Sequence, residues 1–269
     1  MKYKLLATDL DGTLLNSNQE ITQRTREAIL AAQAKDVLFV PSTGRPLCGA
    51  RHIATQFPGD FPVITYNGAL VITSQSQRIL FAQGLEKTVA KEVYTLGQAH
   101  GAPIILWEGE TLYVNRDCPE VRLYQKITGA DIHVLEDFDC LDEVTKIIWL
   151  VPAKDGRRFT LSLSAHFAGR CNVHTSHPSL LEFVHINASK GLALQTIGKL
   201  YGIDQSEIIA VGDGFNDASM LKYAGLSVAM QNAPQELKAL CKHVTGSNDE
   251  DGVAAVIEAF LLERTLDIS

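Results

Sequence analysis

Residues 3–13 read YKLLATDLDGT, a short apolar run that ends in two aspartates, Asp9 and Asp11. A continuous apolar run of this length predicts a strand buried in a parallel sheet, here over Tyr3–Thr8. Sheets of this kind place their binding groups at the carboxyl ends of the strands. We therefore expect an α/β fold with both carboxylates at one edge of the sheet.

The segments on either side of this strand alternate between helical and strand patterns. Before residue 84 we predict a helix, three further strands, a tight Asn-Gly turn and a hairpin partner: Thr22–Ala34, Val37–Val40, Pro62–Tyr66, Asn67-Gly68, Ala69–Thr73 and Arg78–Phe81. After Ser189 the same rhythm returns. There we predict a helix that ends at Gly202, strands over Ile208–Val211 and Leu226–Met230, and closing helices.

Residues 85–186 have a mixed pattern without a phosphate-binding motif, and they predict an α+β module. Its helices are expected over Glu86–Ala99, Pro119–Thr128 and Arg157–Phe167. Its strands are expected over Ile104–Trp107, Leu112–Val114, Lys146–Val151 and Leu181–Val184. The chain is thus predicted to have a discontinuous core domain, residues 1–84 and 187–269, and an inserted domain, residues 85–186.

Composition excludes several classes of protein. Hydrophobic residues make up 46% of the 269 residues and charged residues 20%, which indicates a globular chain rather than a disordered one. The net charge of −7 leaves no basic excess for nucleic acid. The N-terminus resembles neither a signal peptide nor a membrane span, and the five scattered cysteines are interpreted as free, buried thiols. We therefore predict a cytoplasmic protein without membrane or nucleic-acid partners.

The two aspartates of DLDGT suggest phosphoryl transfer. One carboxylate can attack phosphorus, while its neighbour protonates the leaving oxygen and later deprotonates water. Two anions this close need a cation, and Mg²⁺ suits ligation by oxygen atoms. The alternative is a turn whose acids are simply solvated.

A second acidic loop, GDGFND at residues 212–217, follows the predicted strand Ile208–Val211. Asp213 is expected to complete the metal site, and Asp217 either to hold metal-bound water or to orient Lys190. Asn216 could donate to a phosphate oxygen. Helix N-capping by Asn216 or Asp217 is the alternative.

Two further segments offer groups for a phosphate. Thr43-Gly44-Arg45 ends the second strand with a hydroxyl and backbone N–H groups, and Ser42 competes with Thr43 for that role. Arg45 either contacts substrate or forms a surface ion pair. Lys190 follows Ser189, a predicted N-cap, so a cation lies in the first helical turn, where it opposes the helix dipole. This mismatch favours a functional lysine over a solvated one.

Together, DLDGT, STGR, SKG and GDGFND resemble, in order, the four motifs of the haloacid dehalogenase (HAD) superfamily of phosphatases. The insert between the second and third motifs and the YNGA segment at residues 66–69 are similar to the Cof-type branch, whose caps are of type IIB. Within that branch the chain is most similar to the YidA-type sugar-phosphate phosphatases. The resemblance implies a Rossmann-like core, an inserted α+β cap, Mg²⁺ and hydrolysis of small phosphate esters.

The resemblance also implies residue roles. Asp9 is the expected nucleophile and Asp11 the general acid/base. The implied Mg²⁺ ligands are Asp9 and Asp213 by side chain and Asp11 through its backbone carbonyl. Asp217 is a further expected metal residue, which binds Mg²⁺ either directly or through water. Asn67 and Gly68 are expected where the leaving group approaches. The substrate-binding set is Leu10, Thr43, Gly44, Arg45, Asn67, Gly68, Lys190 and Asn216.

Two other functions use the same residues. A phosphomutase would pass the phosphoryl group from Asp9 to another sugar hydroxyl. A receiver-like Mg²⁺-dependent module would be phosphorylated on Asp9 as a signal, but it would have little use for Asp11 or for the insert. The expected partner is a small phosphate ester, and the chain is expected to be a monomer or a homodimer.

Overall fold

The computed structural model describes residues 2–262. The described helices are α1 Gln23–Gln33, α2 Leu47–Ala54, α3 Lys87–Ala99, α4 Pro119–Thr128, α5 Gly156–His166, α6 Lys190–Tyr201, α7 Ala218–Tyr223, α8 Gln235–Lys238 and α9 Gly252–Phe260. The strands are β1 Leu5–Asp9, β2 Leu38–Ser42, β3 Pro62–Thr65, β4 Leu70–Thr73, β5 Ile79–Ala82, β6 Ile104–Glu108, β7 Thr111–Val114, β8 Ile132–Val134, β9 Lys146–Leu150, β10 Cys171–His177, β11 Leu180–His185, β12 Ile208–Gly212, β13 Leu226–Ala229 and β14 His243–Val244.

The first sheet has eight strands in the order β14-β13-β12-β1-β2-β3-β4-β5. Strands β14 through β3 pair in parallel, and β4 pairs antiparallel with β3. All five residues of β1 are buried, as are all five of β12, because a central parallel strand is covered on both faces. This sheet confirms the predicted α/β fold.

The second sheet has six strands in the order β10-β11-β9-β6-β7-β8. Its pairs are antiparallel except β7 with β8. One cluster of buried side chains holds α3, α5 and the sheet together, and its largest fully buried members are Trp149, Phe167 and Phe183. Burial of these aromatic rings adds a large apolar area to that cluster.

A buried ion pair lies within the second sheet. Lys146 begins β9 and Glu182 lies in β11, and their side chains are each 3% exposed with Nζ and Oε1 2.8 Å apart. His174 of β10 pairs with Glu182 across the strands, and its Nε2 lies 3.1 Å from Oε2. Lys146 also donates to the carbonyl oxygen of Gly44 at 3.3 Å.

The chain divides into two compact units. Among the described residues, the first contains residues 2–43, 53–80 and 189–262, and the second contains Gly44–His52 and Phe81–Ala188. The longer segment of the second unit is Phe81–Ala188, and the predicted domain boundaries at residues 85 and 186 stay a prediction. Grouping of Gly44–His52 with the second unit was not predicted from the sequence.

Several local predictions need correction. The third strand ends at Thr65 rather than Tyr66, since Tyr66 has a positive φ of 51° and already belongs to the turn. The structure adds α2, α7, β8, β10 and β14, which were not predicted because their segments are short or polar. The five cysteines are free, as expected, but only Cys171 is buried. In other respects most predicted elements agree with the structure to within one or two residues.

Across residues 2–262, none of the helices combines the length and the apolar character needed to cross a bilayer.

Candidate active site

The sheet register places Asp9 beside the end of the second strand. Asp9 is the last residue of β1 and pairs with Ser42, the last residue of β2. On the other side of β1, Thr8 pairs with Val211 of β12. The carboxyl ends of these three strands therefore lie at one edge of the sheet, where the sequence predicted the functional groups.

Lys190 joins three segments of the first unit. Its Nζ donates to Asp9 Oδ1 at 2.5 Å, to Asp217 Oδ1 at 2.6 Å and to the carbonyl oxygen of Ser42 at 3.3 Å. Its side chain is fully buried. Lys190 begins α6, and Ser189 caps this helix by accepting from the N–H of Leu192 at 3.1 Å. A solvated surface lysine, the alternative considered from the sequence, is excluded.

The GDGFND loop folds back on itself through Asp217. Oδ2 of Asp217 accepts from the N–H groups of Asp213 and Gly214 at 3.1 and 2.9 Å. Its Oδ1 accepts from Lys190, so both oxygens already have donors in the protein. This arrangement favours the interpretation that Asp217 orients Lys190.

Asp213 is held by the DLDGT turn. Thr13 Oγ1 donates to Asp213 Oδ1 at 2.8 Å. Gly12 has a φ of 76°, and a Cβ at this position would lie 2.4 Å from Asp213 Oδ2. The two acidic loops can approach this closely only because residue 12 is glycine.

The acidic cluster of Asp9, Asp213 and Asp217 has more negative groups than its one cation, Lys190, can neutralise. Burial and the charge of Asp217 raise the pKa of Asp9 well above its usual range, and Lys190 only partly opposes them. Burial also raises the pKa of Asp213 to about 6, with contributions from the charges of Asp217 and Asp11. The pKa of Lys190 is lowered by burial but is raised overall by Asp217 and Asp9. Three carboxylates thus lie in one cluster with a single ammonium group, which contacts two of them.

These residues fit a divalent cation. Asp9, Asp213 and Asp217 each have a carboxylate oxygen within 4.8 Å of the others. Oxygen ligands and excess negative charge suit Mg²⁺. Asp9 and Asp213 are the better candidate ligands, because both oxygens of Asp217 accept hydrogen bonds. Asp11 is exposed, and its charge acts on Asp213.

The neighbouring hydroxyls are both buried. Thr43 N–H donates to the carbonyl oxygen of Ile64 at 2.8 Å, and Thr43 O accepts from the N–H of Asn67 at 3.0 Å. Within residues 2–262, Ser42 Oγ is buried and has no hydrogen-bond partner. Burial alone therefore does not choose between Ser42 and Thr43 as the phosphate ligand.

The other residues predicted to bind substrate differ in burial and in their hydrogen-bond partners. Asn216 Nδ2 donates to Asn67 Oδ1 at 3.1 Å, and Asn216 is exposed whereas Asn67 is buried. The side chain of Leu10 is 1% exposed. Gly44 and Arg45 belong to the second unit, where Arg45 Nη1 donates to the carbonyl oxygen of Gly49 at 3.4 Å.

Sequence reasoning missed two residues that support the acidic turn. Thr13, which holds Asp213, is the last residue of DLDGT and could have been recognised as part of that motif. Asn232 follows β13 and donates to the carbonyl oxygen of Gly12 at 2.7 Å. A polar residue just after a buried parallel strand was the available signal for Asn232.

Comparison with known proteins defines the family. Residues 6–257 match the model of the haloacid dehalogenase-like hydrolase family. The chain is 33% identical to the putative phosphatase YxeH of Bacillus subtilis, over 97% of this chain and all of that protein. It is 30% identical to the 5-amino-6-(5-phospho-D-ribitylamino)uracil phosphatase YcsE of the same organism, over 96% of each chain.

A solved structure shows the same fold. A haloacid dehalogenase-like hydrolase from Bacteroides thetaiotaomicron superposes with a TM-score of 0.85 at 32% identity, covering 96% of this chain and 99% of that one. This chain therefore belongs to the haloacid dehalogenase-like hydrolase family. The superfamily predicted from the four motifs is confirmed, and the enzyme interpretation is preferred to a receiver-like module.

Proposed function

We propose that this chain is a Mg²⁺-dependent phosphatase that hydrolyses small phosphate monoesters, sugar phosphates in particular, through an aspartyl-phosphate on Asp9. The observation that carries the proposal is the buried contact of Lys190 Nζ with Asp9 and Asp217 at 2.5 and 2.6 Å. A fully buried ammonium beside a carboxylate at the end of a parallel strand provides a nucleophile and a phosphate-binding charge in one place.

The enzyme class, phosphoric monoester hydrolase, agrees with the family match and with the names of the curated relatives. The name of YcsE gives a phosphorylated ribityl chain as its substrate. A small polyhydroxylated ester is therefore our proposed substrate class. The YidA-type specificity implied by the sequence remains a proposal.

In the first step an oxygen of the Asp9 carboxylate attacks phosphorus, and the bond from phosphorus to the ester oxygen breaks. Asp11, in its protonated form, gives its proton to the leaving oxygen. Lys190 holds the transferring phosphoryl oxygens and is itself held by Asp217. Thr43, Gly44, Arg45 and Asn216 are proposed as further contacts of the substrate, and the backbone of Leu10 as another.

In the second step water attacks the phosphorus of the acyl phosphate. The Asp11 carboxylate takes a proton from this water, and the bond from phosphorus to Asp9 breaks to release inorganic phosphate and the free carboxylate. Asp11 is exposed, which suits a group that must meet both the leaving group and water.

Mg²⁺, when bound, would offset the repulsion between the Asp9 carboxylate and the dianionic ester. Asp9 and Asp213 are the proposed side-chain ligands, Asp11 a ligand through its backbone carbonyl, and Asp217 a residue that acts through Lys190. We keep the division into a core domain and an inserted cap domain as part of the proposal. The five free thiols support a reducing compartment such as the cytoplasm.

The test is release of inorganic phosphate from a panel of metabolite phosphates, with Mg²⁺ and with EDTA, expressed as kcat/KM. We expect release that needs Mg²⁺ and that is lost in Asp9→Asn, by about 10⁴-fold or more, while Asp139→Asn, a change of an exposed acid, has no effect. Sugar isomerisation without free phosphate would favour the phosphomutase. Full activity of Asp9→Asn would exclude Asp9 as the nucleophile.

A further inference from the structure

The turn between β3 and β4 has an unusual backbone. Tyr66, Asn67 and Gly68 have successive φ values of 51°, 56° and 97°. Asparagine and glycine tolerate this region, but a bulky residue such as tyrosine rarely adopts it. Tyr66 is fully buried. Backbones of this kind persist only where the surrounding structure holds them, and they concentrate at functional sites.

Gly68 lies directly against the start of α6. A Cβ on Gly68 would be 2.3 Å from the carbonyl carbon and oxygen of Ser189 and 2.8 Å from the N atom of Lys190. These are backbone atoms, which cannot move aside as a flexible side chain can. The position of Gly68 thus fixes how closely the first turn of α6, which carries Lys190, approaches the sheet edge.

Asn67 connects the same turn to two other segments. Its N–H donates to the carbonyl oxygen of Thr43 at 3.0 Å, and its Oδ1 accepts from Asn216 Nδ2 at 3.1 Å. Two residues of one turn, Asn67 and Gly68, therefore contact the segments that carry Thr43, Lys190 and Asn216. All of these contacts lie within the first unit.

We propose that Tyr66–Gly68 is a positioning element, which sets the spacing of Thr43, Lys190 and Asn216 around the phosphoryl group. This inference rests on the proposed function. It differs from the leaving-group contact implied by the family resemblance, because a positioning element acts on the group common to every substrate. Disturbing the turn should therefore slow the hydrolysis of all phosphate esters by the same factor.

The test compares Gly68→Ala with Gly59→Ala. Gly59 has a similar φ of 86°, but a Cβ there would meet no atom within 4 Å, so this control carries the backbone strain without the collision. For Gly68→Ala we expect kcat/KM to fall on the order of 10²-fold for acetyl phosphate, p-nitrophenyl phosphate and glucose 6-phosphate alike, mainly through kcat. Gly59→Ala should stay within about twofold.

Asn67→Gly is the second variant, for the case that Gly68→Ala does not fold. It preserves the left-handed backbone and removes the contact with Asn216, and we expect a uniform loss on the order of tenfold. Losses confined to glucose 6-phosphate would overturn the proposal and indicate contact with the leaving group. Unchanged kinetics for all three esters in the folded variants would also overturn it.

A binding measurement separates this proposal from the proposed function. Orthovanadate has no leaving group, so its binding in the presence of Mg²⁺, followed by calorimetry, should weaken in Gly68→Ala but not in Gly59→Ala. An active wild-type enzyme with equal vanadate affinity in both variants would overturn only the positioning role. A wild-type protein that neither hydrolyses the esters nor binds vanadate would overturn the proposed function, and the positioning role with it.

Discussion

Lys190 in the first unit and Lys146 in the second are both buried beside carboxylates, but their charge environments differ. Lys190 contacts Asp9 and Asp217, with Asp213 in the same acidic cluster. Lys146 contacts Glu182, whose other oxygen pairs with His174. Carboxylates outnumber cationic groups in the first cluster, whereas in the second a single carboxylate has two basic partners.

The pKa values of the carboxylates follow this difference. The pKa of Asp9 is raised by burial and by Asp217, in spite of the contact with Lys190. Burial also acts to raise the pKa of Glu182, but Lys146 and His174 outweigh it and lower the pKa to about 2. Burial of a lysine beside a carboxylate therefore does not define function. The acidic cluster around Lys190 has excess negative charge, which suits a bound cation. The charge of Glu182 is already neutralised by its basic partners.

Replacing Lys190 should give the largest effect on activity. Lys190→Met removes the cation that faces the nucleophile, and we expect kcat to fall on the order of 10³-fold. The measurement is turnover of p-nitrophenyl phosphate at saturating Mg²⁺, with circular dichroism as the check on folding. Lys91→Met, which breaks an exposed ion pair with Asp139, is the matched control and should keep full activity. If a folded Lys190→Met keeps activity within tenfold of wild type, Lys190 is not needed for turnover, and its proposed functional difference from Lys146 is wrong.

Replacing Lys146 should instead affect stability. Lys146→Met leaves Glu182 buried beside a single basic partner, and we expect the free energy of unfolding to fall by about 3–5 kcal/mol. The double variant Lys146→Met, Glu182→Leu removes both charges and should recover most of that loss. Chemical denaturation of the two variants, with Lys91→Met as the surface control, measures the difference. A double variant as unstable as the single one would mean that lost packing, rather than charge, explains the effect.

The strand ends and the first turn of α6 were predictable, because their motifs combine an apolar run or a cap with an unusual charge. Asp9, Asp213 and Lys190 all follow this pattern, and the structure brings the three residues together. Ser189 caps α6 as its residue type and position predicted. Local chemistry was sufficient for these features.

Other features depend on tertiary contacts that no local pattern contains. Tyrosine favours strands, and the sequence predicts a strand over Pro62–Tyr66. In the structure Tyr66 instead begins a left-handed turn, which brings Gly68 against the backbone of Ser189. The pairing of Lys146 with Glu182 depends on the register of β9 and β11, in which Glu182 pairs with Ile148. Two predicted strands could not reveal that register.

The excess negative charge of the first unit should make its stability depend on Mg²⁺. A ligand that binds only the folded state at 100 times its Kd adds about 3 kcal/mol to the free energy of unfolding. We expect a Mg²⁺-dependent rise in the melting temperature that disappears in Asp213→Asn, while Asp139→Asn retains it. Only the rise in melting temperature caused by Mg²⁺ is compared, since each substitution also changes the melting temperature without Mg²⁺. An unchanged increment in Asp213→Asn would exclude Asp213 as a ligand.

The ion pair between Lys146 and Glu182 in the second unit should weaken in acid. The pKa of Glu182 is about 2 in the folded protein against 4.5 for the free side chain, so the folded state binds the proton less well. Its contribution to stability is complete above 4.5 and is lost as the pH falls toward 2. Between pH 7 and pH 3 the wild type should lose about 2 kcal/mol more than Glu182→Gln, which cannot titrate there. Parallel urea titrations of the two proteins at both pH values measure this difference. Equal losses would mean that Lys146 and His174 do not hold Glu182 ionised, and the contrast with Asp9 would then disappear.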